Sequence, residues 1–300
     1  MTDHPELGAI MNERRRLINL AYRLLGSLAD AEDVVQETYT RWYGLSREQQ
    51  EAIVSPGAWL TTVAGRICLN LLSSARARRE TYVGEWVPEP LPDPREWLTG
   101  RPDGGTLDPA DRVTLDESVS MAFLVVLEEM TPAERVAFVL HDVFRYSFAE
   151  VAGVVGRSTA ACRQLASSAR RRLRAAHPPA APAARQARVV GDFKRAWETM
   201  DIEALVGLLD PAATVVADSG GLASAVLRPI QGAENIARSL TALSGRLRDL
   251  TFLESTVNGR PGLIAQEAGV TVSVYAFEVS GDRITHIWSI RNPGKLRAWR

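Results

Sequence analysis

Between Thr159 and Arg174 one side of a helical period carries Arg163, Gln164, Ser167, Arg170, Arg171 and Arg174. Cys162, Leu165, Ala166, Ala169 and Leu173 share the other side. Arginine forks suit phosphate oxygens or the O6 and N7 atoms of guanine, and glutamine suits adenine. The first residues of a recognition helix reach base edges, while later ones hold the backbone. Thr159, Arg163 and Gln164 are therefore expected at base edges, and Ser167, Arg170 and Arg171 at phosphates. A solvated basic helix would show the same stripe. The residues before it favour the nucleic-acid reading, because they spell a helix, a glycine turn and a second cap.

Two further polar stripes stand earlier in the chain. Thr62, Arg66, Asn70 and Ser73 share a helical face, followed by Arg76, Arg78 and Arg79. Polar and cationic groups at this spacing can contact DNA, although a lone stripe is moderate evidence. Asp33, Gln36, Glu37 and Thr40 lie opposite an apolar face of Val35, Tyr39 and Trp42. An anionic, hydrogen-bonding stripe suits a basic protein partner, but acids also favour a helix N-terminus, and on physics alone the solvated helix start is the better reading. The four histidines (His4, His141, His177 and His286) are scattered, and Cys68 and Cys162 are far apart. No metal site, catalytic triad or disulfide framework is supported, no glycine-rich phosphate loop is present, and no cofactor is expected.

The formal net charge of −1 hides strong segregation. Thr61 to Arg79 contains four arginines and no acid, and Arg157 to Arg174 six arginines and no acid, whereas Asp30, Glu32, Asp33 and Glu37 crowd together. Such asymmetry predicts one surface for phosphates and another for a basic partner. The start of the chain lacks a signal-peptide pattern, and no run approaches the roughly 20 apolar residues of a membrane span. A cytoplasmic protein without a membrane partner is expected.

The positioning elements are punctuated clearly. Leu17, Leu20, Ala21 and Leu24 keep a helical period that Gly26 ends. A second helix is expected from about Asp30, with Val35, Thr38, Tyr39 and Trp42 inward. Ser55 caps a third at Pro56, whose inner stripe is Leu60, Val63, Ala64, Ile67 and Leu71. Thr131-Pro132-Ala133-Glu134 and Ser147-Phe148-Ala149-Glu150 are capping boxes. The first precedes an inner face of Val136, Val139, Leu140 and Val143, and the second opens a short helix closed by Gly156. Proline-rich passages at Val83–Pro109 and His177–Ala184 divide the chain. The last segment changes to an α+β pattern. Two amphipathic helices (Val189 to Met200, then Ile202 to Leu209) precede strand-like runs at Thr214–Ala217, Leu250–Val257, Val270–Val279 and Arg283–Ile290, with turns at Asn258-Gly259 and Gly281-Asp282. Trp197, Tyr275, Phe277 and Trp288 either line an apolar pocket or, as the better reading, fill the core.

These residues together resemble a bacterial RNA polymerase sigma factor of the extracytoplasmic-function (ECF) type. The run Asp30 to Glu37 resembles the family's core-polymerase-binding helix, which implies that Asp33, Gln36 and Glu37 grip the coiled coil of the beta-prime subunit. Trp59-Leu60 with Thr62, Arg66, Asn70 and Arg76 resembles the helix that recognises the −10 element, and the loop of about Gly44 to Ser55 corresponds to one that captures a flipped base. Tyr146 to Arg174 resembles the domain that reads the −35 element. The Gly156-Arg157-Ser158 and Arg163–Ser167 runs, with Trp86-Val87-Pro88-Glu89-Pro90, resemble a SigJ-like subgroup carrying a fused SnoaL-like domain. Asp218-Ser219-Gly220-Gly221 has serine, and Asn292-Pro293-Gly294-Lys295-Leu296 has glycine, where that subgroup's motifs expect glycine and aspartate.

The resemblance implies a multidomain fold of two all-α sigma domains, the second a helix-turn-helix, plus an α+β SnoaL-like cone-shaped domain. The expected divisions are 1–80 (region 2), 81–111 (proline-rich linker), 112–175 (region 4), 176–186 (alanine-proline linker) and 187–300 (SnoaL-like regulatory domain). It implies a non-enzymatic transcription initiation factor. Its partners would be core polymerase, through the beta-prime coiled coil and the beta flap, and promoter DNA. No separate anti-sigma factor is implied, and the free protein would be a monomer. Regulation in cis would run through Trp86, Pro88, Glu89, Pro90, Asp218, Asn292, Pro293 and Lys295. Two other classes remain open: a ligand-responsive helix-turn-helix repressor, and a SnoaL-like enzyme with Asp218 as acid or base.

Overall fold

The computed structural model describes residues 5–79, 82–92, 119–176, 181–223, 228–246 and 250–299, with backbone alone at 5–12, 75–79 and 244–246. Two compact units result: Met1–Glu80 with Val126–Ala175, and Thr81–Val125 with Ala176–Arg300. The proline-rich passage expected as a separate linker therefore does not stand apart. Its residues 82–92 are extended and packed, with Val87 1% and Leu91 7% exposed. Proline excludes a helix there, yet an extended proline segment has few N–H groups to satisfy and can be buried at low cost. Residues 93–111, with the rest of that passage, lie outside the described residues.

The first unit is all helix. It comprises α1 (Pro5–Leu25), α2 (Leu28–Tyr43), α3 (Arg47–Glu51) and α4 (Pro56–Arg79), then the end of α5 (Met121–Glu128), α6 (Pro132–Phe138), α7 (Phe148–Val155) and α8 (Thr159–Ala176). Leu17, Leu20, Ala21 and Leu24 are at most 1% exposed, and burial of each leucine contributes about 1.5–3 kcal/mol. Gly26 ends α1 with φ 67°. Helix α2 starts two residues earlier than expected, because Ser27 caps it, and its inner face adds Leu28, Ala31 and Val34 to Val35 and Thr38. Tyr39 and Trp42 are only half-buried.

Both capping boxes form, at Thr131/Glu134 and Ser147/Glu150. Each such cap is worth about 1 kcal/mol. After Phe138 the chain passes into a π-helical turn, Val139–Val143, in which Phe144 N donates to the Val139 carbonyl. Arg145 then reverses the chain at φ 62°. Val136, Val139 and Leu140 are buried as expected, and Gly156 closes α7 at φ 70°.

The second unit is built on a six-stranded mixed sheet in the order β2-β1-β6-β5-β4-β3. The strands are β1 (Leu209–Asp218), β2 (Ile230–Gln231), β3 (Leu250–Val257), β4 (Arg260–Glu267), β5 (Val270–Ser280) and β6 (Arg283–Ile290). Strands β1 and β6 are parallel, and the other pairs antiparallel. Helices α9 (Ala183–Glu198), α10 (Ile202–Leu208) and α11 (Ala233–Arg246) pack on one face. Strand alternation sends Val215, Tyr275, Phe277 and Ile287 to that face, and Val274, Ala276, Trp288 and Ile290 to the other. The opposite face is covered by Val87, Met121 and Leu296.

Trp197 packs on Phe252 and Tyr275 at 4.3 and 5.2 Å between centroids, so the aromatics fill the core, as the better of the two readings expected. Trp288 belongs to the other face. Met200, expected inward, is 56% exposed, because α9 ends at Glu198 and Met200 turns away at φ 55°. The sequence reading passed over α11, whose buried Ile236, Ala237 and Leu240 keep a helical period, and β4, whose Pro261 and Gly262 read as breakers.

Candidate nucleic-acid interface and linker clamp

Helix α8 stands where the capped helix α7 and the Gly156 turn place it. Ser158 Oγ accepts from Ala161 N at 3.2 Å, and Cys162, Ala166 and Ala169 anchor the inner side with 0% exposure. Thr159, Arg163, Gln164, Ser167 and Arg171 are all exposed on the outer side. The six expected contact residues thus share a helix, but their cations differ. Arg170 donates to both carboxylate oxygens of Asp142, at 2.6 and 3.2 Å, whereas Arg163 lies over the Phe148 ring, 5.5 Å from its centroid. Arg172 pairs with Glu134 at 3.8 Å. Although burial opposes ionisation of Glu134, hydrogen bonds from Ser168 and Thr131 outweigh it and hold the carboxyl below its usual range.

The second stripe lies on α4, and the structure gives it a partner no local pattern announced. Arg66 Nη2 and Nε donate to the Gly153 carbonyl on α7, at 2.8 and 3.3 Å. A β-carbon at Gly65 would stand 2.7 Å from Val154 Cγ1, so only glycine permits this approach of α4 to α7. Thr61 shares a 2.7 Å hydrogen bond with the Tyr146 hydroxyl, and Arg16 lies over the Tyr146 ring. Arg135, 2% exposed, donates to the Leu24 carbonyl at 2.8 Å and to Glu128 at 2.7 Å, and burial lowers its pKa to about 9. Thr62 is half-buried, with its hydroxyl donating back to the Ala58 carbonyl, and Asn70 is exposed. Arg76 falls on the last turns of α4, where side chains lie outside the described residues.

Asp33, Gln36 and Glu37 are exposed side by side on α2, with Glu37 paired to Arg41 one turn on. The buried face holds the helix and leaves this stripe toward solvent. At 49–52% side-chain exposure the Glu37–Arg41 pair contributes little, and a basic partner can displace it.

In the second unit, Asn292 and Lys295 of the expected regulatory residues contact Asp218, at the end of β1. Its carboxylate is fully buried and accepts from the Tyr82 hydroxyl at 2.7 Å, from Val87 N at 2.9 Å, from Gly220 N at 3.1 Å and from Lys295 Nζ at 2.6 Å. Lys295 Nζ also donates to the Val87 carbonyl and sits 4.1 Å from the Trp86 ring centroid. Asn292 donates to the Tyr82 hydroxyl at 2.8 Å, and burial, then the Asp218 contact, raises the Tyr82 pKa above the usual tyrosine range. Pro88, Glu89 and Pro90 are buried, and Pro90 accepts from Trp299 Nε1 at 2.8 Å.

Pro293 is exposed and contributes only a backbone carbonyl to the turn. Ser219 is accommodated at 3% exposure, its Oγ accepting from Gly221 N, and Gly294 N donates to Asn292 Oδ1 at 2.9 Å. Gly220 needs its hydrogen side chain, for φ is 59° and a β-carbon would stand 2.5 Å from Asn292 Nδ2. The sequence reading missed Tyr82 and Asn258. Asn258 adopts φ 51° in its hairpin turn and exchanges hydrogen bonds with Leu91, its Oδ1 accepting from Leu91 N and its N–H donating to the Leu91 carbonyl. Its Asn-Gly pairing was legible as a turn; its second role was not.

The first unit thus carries a helix-turn-helix with an outward arginine stripe, a second polar helix and an exposed acidic helix. Sigma-70 region 2 matches residues 9–78, and Sigma-70, region 4 matches residues 120–173. The ECF RNA polymerase sigma factor SigJ of Mycobacterium tuberculosis is 38% identical over 298 residues, covering 94% of this chain and 90% of that protein. The probable ECF RNA polymerase sigma factor SigI of the same organism is 33% identical over 301 residues, covering 99% and 97%. The crystal structure of SigJ aligns with a TM-score of 0.73 at 34% identity, covering 97% of this chain and 98% of that one. The chain belongs to the ECF RNA polymerase sigma factors. It is a transcription initiation factor that binds core RNA polymerase and promoter DNA, not an enzyme. The mixed sheet with its helices is consistent with the expected SnoaL-like domain. Asp218, the acid or base of the enzymatic alternative, is instead saturated by the clamp on the sheet face away from α9–α11.

Proposed function

We propose that the chain is an alternative sigma factor whose C-terminal domain regulates promoter use in cis. Asp33, Gln36 and Glu37 dock on the beta-prime coiled coil, and the region 4 helices on the beta flap. Thr62, Arg66, Asn70 and Arg76 meet the −10 element. Thr159, Arg163, Gln164, Ser167, Arg170 and Arg171 meet the −35 element. Residues 1–80 and 112–175 carry these two tasks, and 187–300 carries regulation through the 81–111 segment. The free protein is a cytoplasmic monomer that does without a separate anti-sigma factor. No helix among the described residues is long and apolar enough to cross a membrane.

The observation that carries regulation in cis is the buried clamp of Asp218 and Lys295 on the Tyr82–Leu91 segment, since that segment joins the two DNA-binding regions. The Arg66–Gly153 contact supports a resting form. Elements named −10 and −35 stand about 25 base pairs apart, roughly 85 Å at 3.4 Å per base pair. Arg66 at 2.8 Å from the helix-turn-helix cannot serve both, so promoter engagement separates α4 from α7.

Reconstitution with core RNA polymerase tests the docking assignment. Asp33→Arg on the exposed stripe is expected to lose the stable complex and promoter-specific run-off transcripts while keeping its melting curve. Retained complex formation would remove α2 as the docking helix.

A further inference from the structure

The π-helical turn Val139–Val143 does more than end α6. It carries two adjacent side chains, His141 and Asp142, that meet α7 and α8 respectively. Asp142 takes Arg170 in a two-oxygen pair. His141 stacks on Phe148 with centroids 3.8 Å apart and planes 24° from parallel, and the Arg163 guanidinium lies over that same Phe148. Arg163 and Arg170 are seven residues apart, two turns along one face of α8. His141 Nδ1 lies 2.8 Å from the Tyr146 carbonyl, which only accepts, so Nδ1 carries the proton and the ring is fixed in plane. Phe148 is fixed as well, being the first residue of α7 behind the Ser147/Glu150 capping box. The imidazole and the guanidinium thus both lie against the Phe148 ring.

From this geometry we propose that Phe148, backed by His141, is a positioning residue that sets the specificity of Arg163. The inference rests on the reading of α8 as the helix that contacts base edges. An arginine that must find one rotamer at a base edge loses conformational freedom on binding, and a side chain already laid on an aromatic face loses less. An aromatic face is also suited to a guanidinium, because the ring quadrupole attracts the cation and holds its plane without using an N–H donor. All five N–H groups stay available for the O6 and N7 atoms of a guanine. Asp142 acts differently on Arg170, since it occupies the fork itself and leaves less of it for phosphate. The two arginines therefore divide the labour: Arg163 discriminates and Arg170 orients.

The test uses the full chain assembled with core RNA polymerase, on promoters carrying every single-base change across the −35 element, with transcript yield as the readout. Phe148→Leu keeps an apolar side chain of similar bulk and removes the aromatic face. It is expected to lower discrimination about five-fold at one −35 position, with the other positions and the salt dependence unchanged; five-fold is about 1 kcal/mol at 1.4 kcal/mol per tenfold. Phe148→Tyr retains the face and should retain discrimination. Arg163→Ala should relax the same position, and Phe148→Leu should add nothing in that background. A Phe148→Leu protein that loses yield equally on all sequences has a merely structural residue at 148, which overturns the proposal. So does a Phe148→Leu effect that persists in the Arg163→Ala background. If Arg163→Ala leaves every position intact, the base-contact reading of Arg163 itself fails, and the proposal falls for that separate reason.

Discussion

Replacing Lys295 by methionine isolates what the clamp is worth. The Lys295 side chain is 11% exposed and its partner Asp218 is 0% exposed. Removing one member of a buried ion pair costs about 3–5 kcal/mol, because the other charge stays buried without compensation. Here Asp218 keeps three donors, from Tyr82, Val87 and Gly220, which offset part of that loss. The variant also gives up the bond to the Val87 carbonyl and the contact with the Trp86 ring. A net loss of about 3 kcal/mol follows, at the lower end of that range. At roughly 2–4 °C per kcal/mol for a unit of this size, the melting transition of the second unit should fall by about 6–12 °C. Tryptophan fluorescence reports on it, since Trp86 and Trp299 both touch the clamp. Proteolysis within residues 82–92 should accelerate in parallel, and relative output from different promoters should change. The double variant Asp218→Asn, Lys295→Met leaves no uncompensated charge and should be milder than Lys295→Met alone. A single variant that melts within about 2 °C of the parent, or a double variant no milder than the single, would refute the reasoning.

Gly65→Ala forces a methyl group against Val154 Cγ1 and should separate α4 from α7, freeing Arg66. It is expected to raise binding of the core-free protein to −10 fork-junction DNA several-fold, measured by fluorescence anisotropy, with a loss of about 1–3 kcal/mol in the stability of the first unit. For Tyr82 the sign of the pH dependence is set by a folded-state pKa raised above the unfolded one. Its contribution is full below the unfolded pKa of about 10 and fades as the pH climbs beyond it. The stability advantage of the parent over Tyr82→Phe, from urea midpoints, should be constant from pH 7 to 9 and shrink above pH 10.

The local elements were legible because their causes are local. Thr131, Ser147 and Gly156 mark helix ends through bonds and dihedrals spanning a few residues, and each mark is present in the structure. The outer face of α8, the exposed stripe of α2 and the Asn258-Gly259 hairpin follow from periods of 3.6 and 2 in the same way. The motifs around Trp86, Asp218 and Asn292 also announced themselves by resemblance, although not what each atom would touch.

Tertiary structure decided which of these groups are spoken for. Arg66 and Arg170 look alike in the sequence. One meets a backbone carbonyl 87 residues away and the other a carboxylate 28 residues away. Tyr82 had no local reason to matter until folding set it 136 residues from its partner Asp218 in sequence and 2.7 Å from it in space. The prolines of residues 82–92 correctly excluded a helix, yet only the sheet supplied the apolar face that buries Val87. A chain writes its periods and caps into neighbouring residues. Pairings across long loops depend on how whole surfaces fit, and no window of sequence contains both halves of that fit.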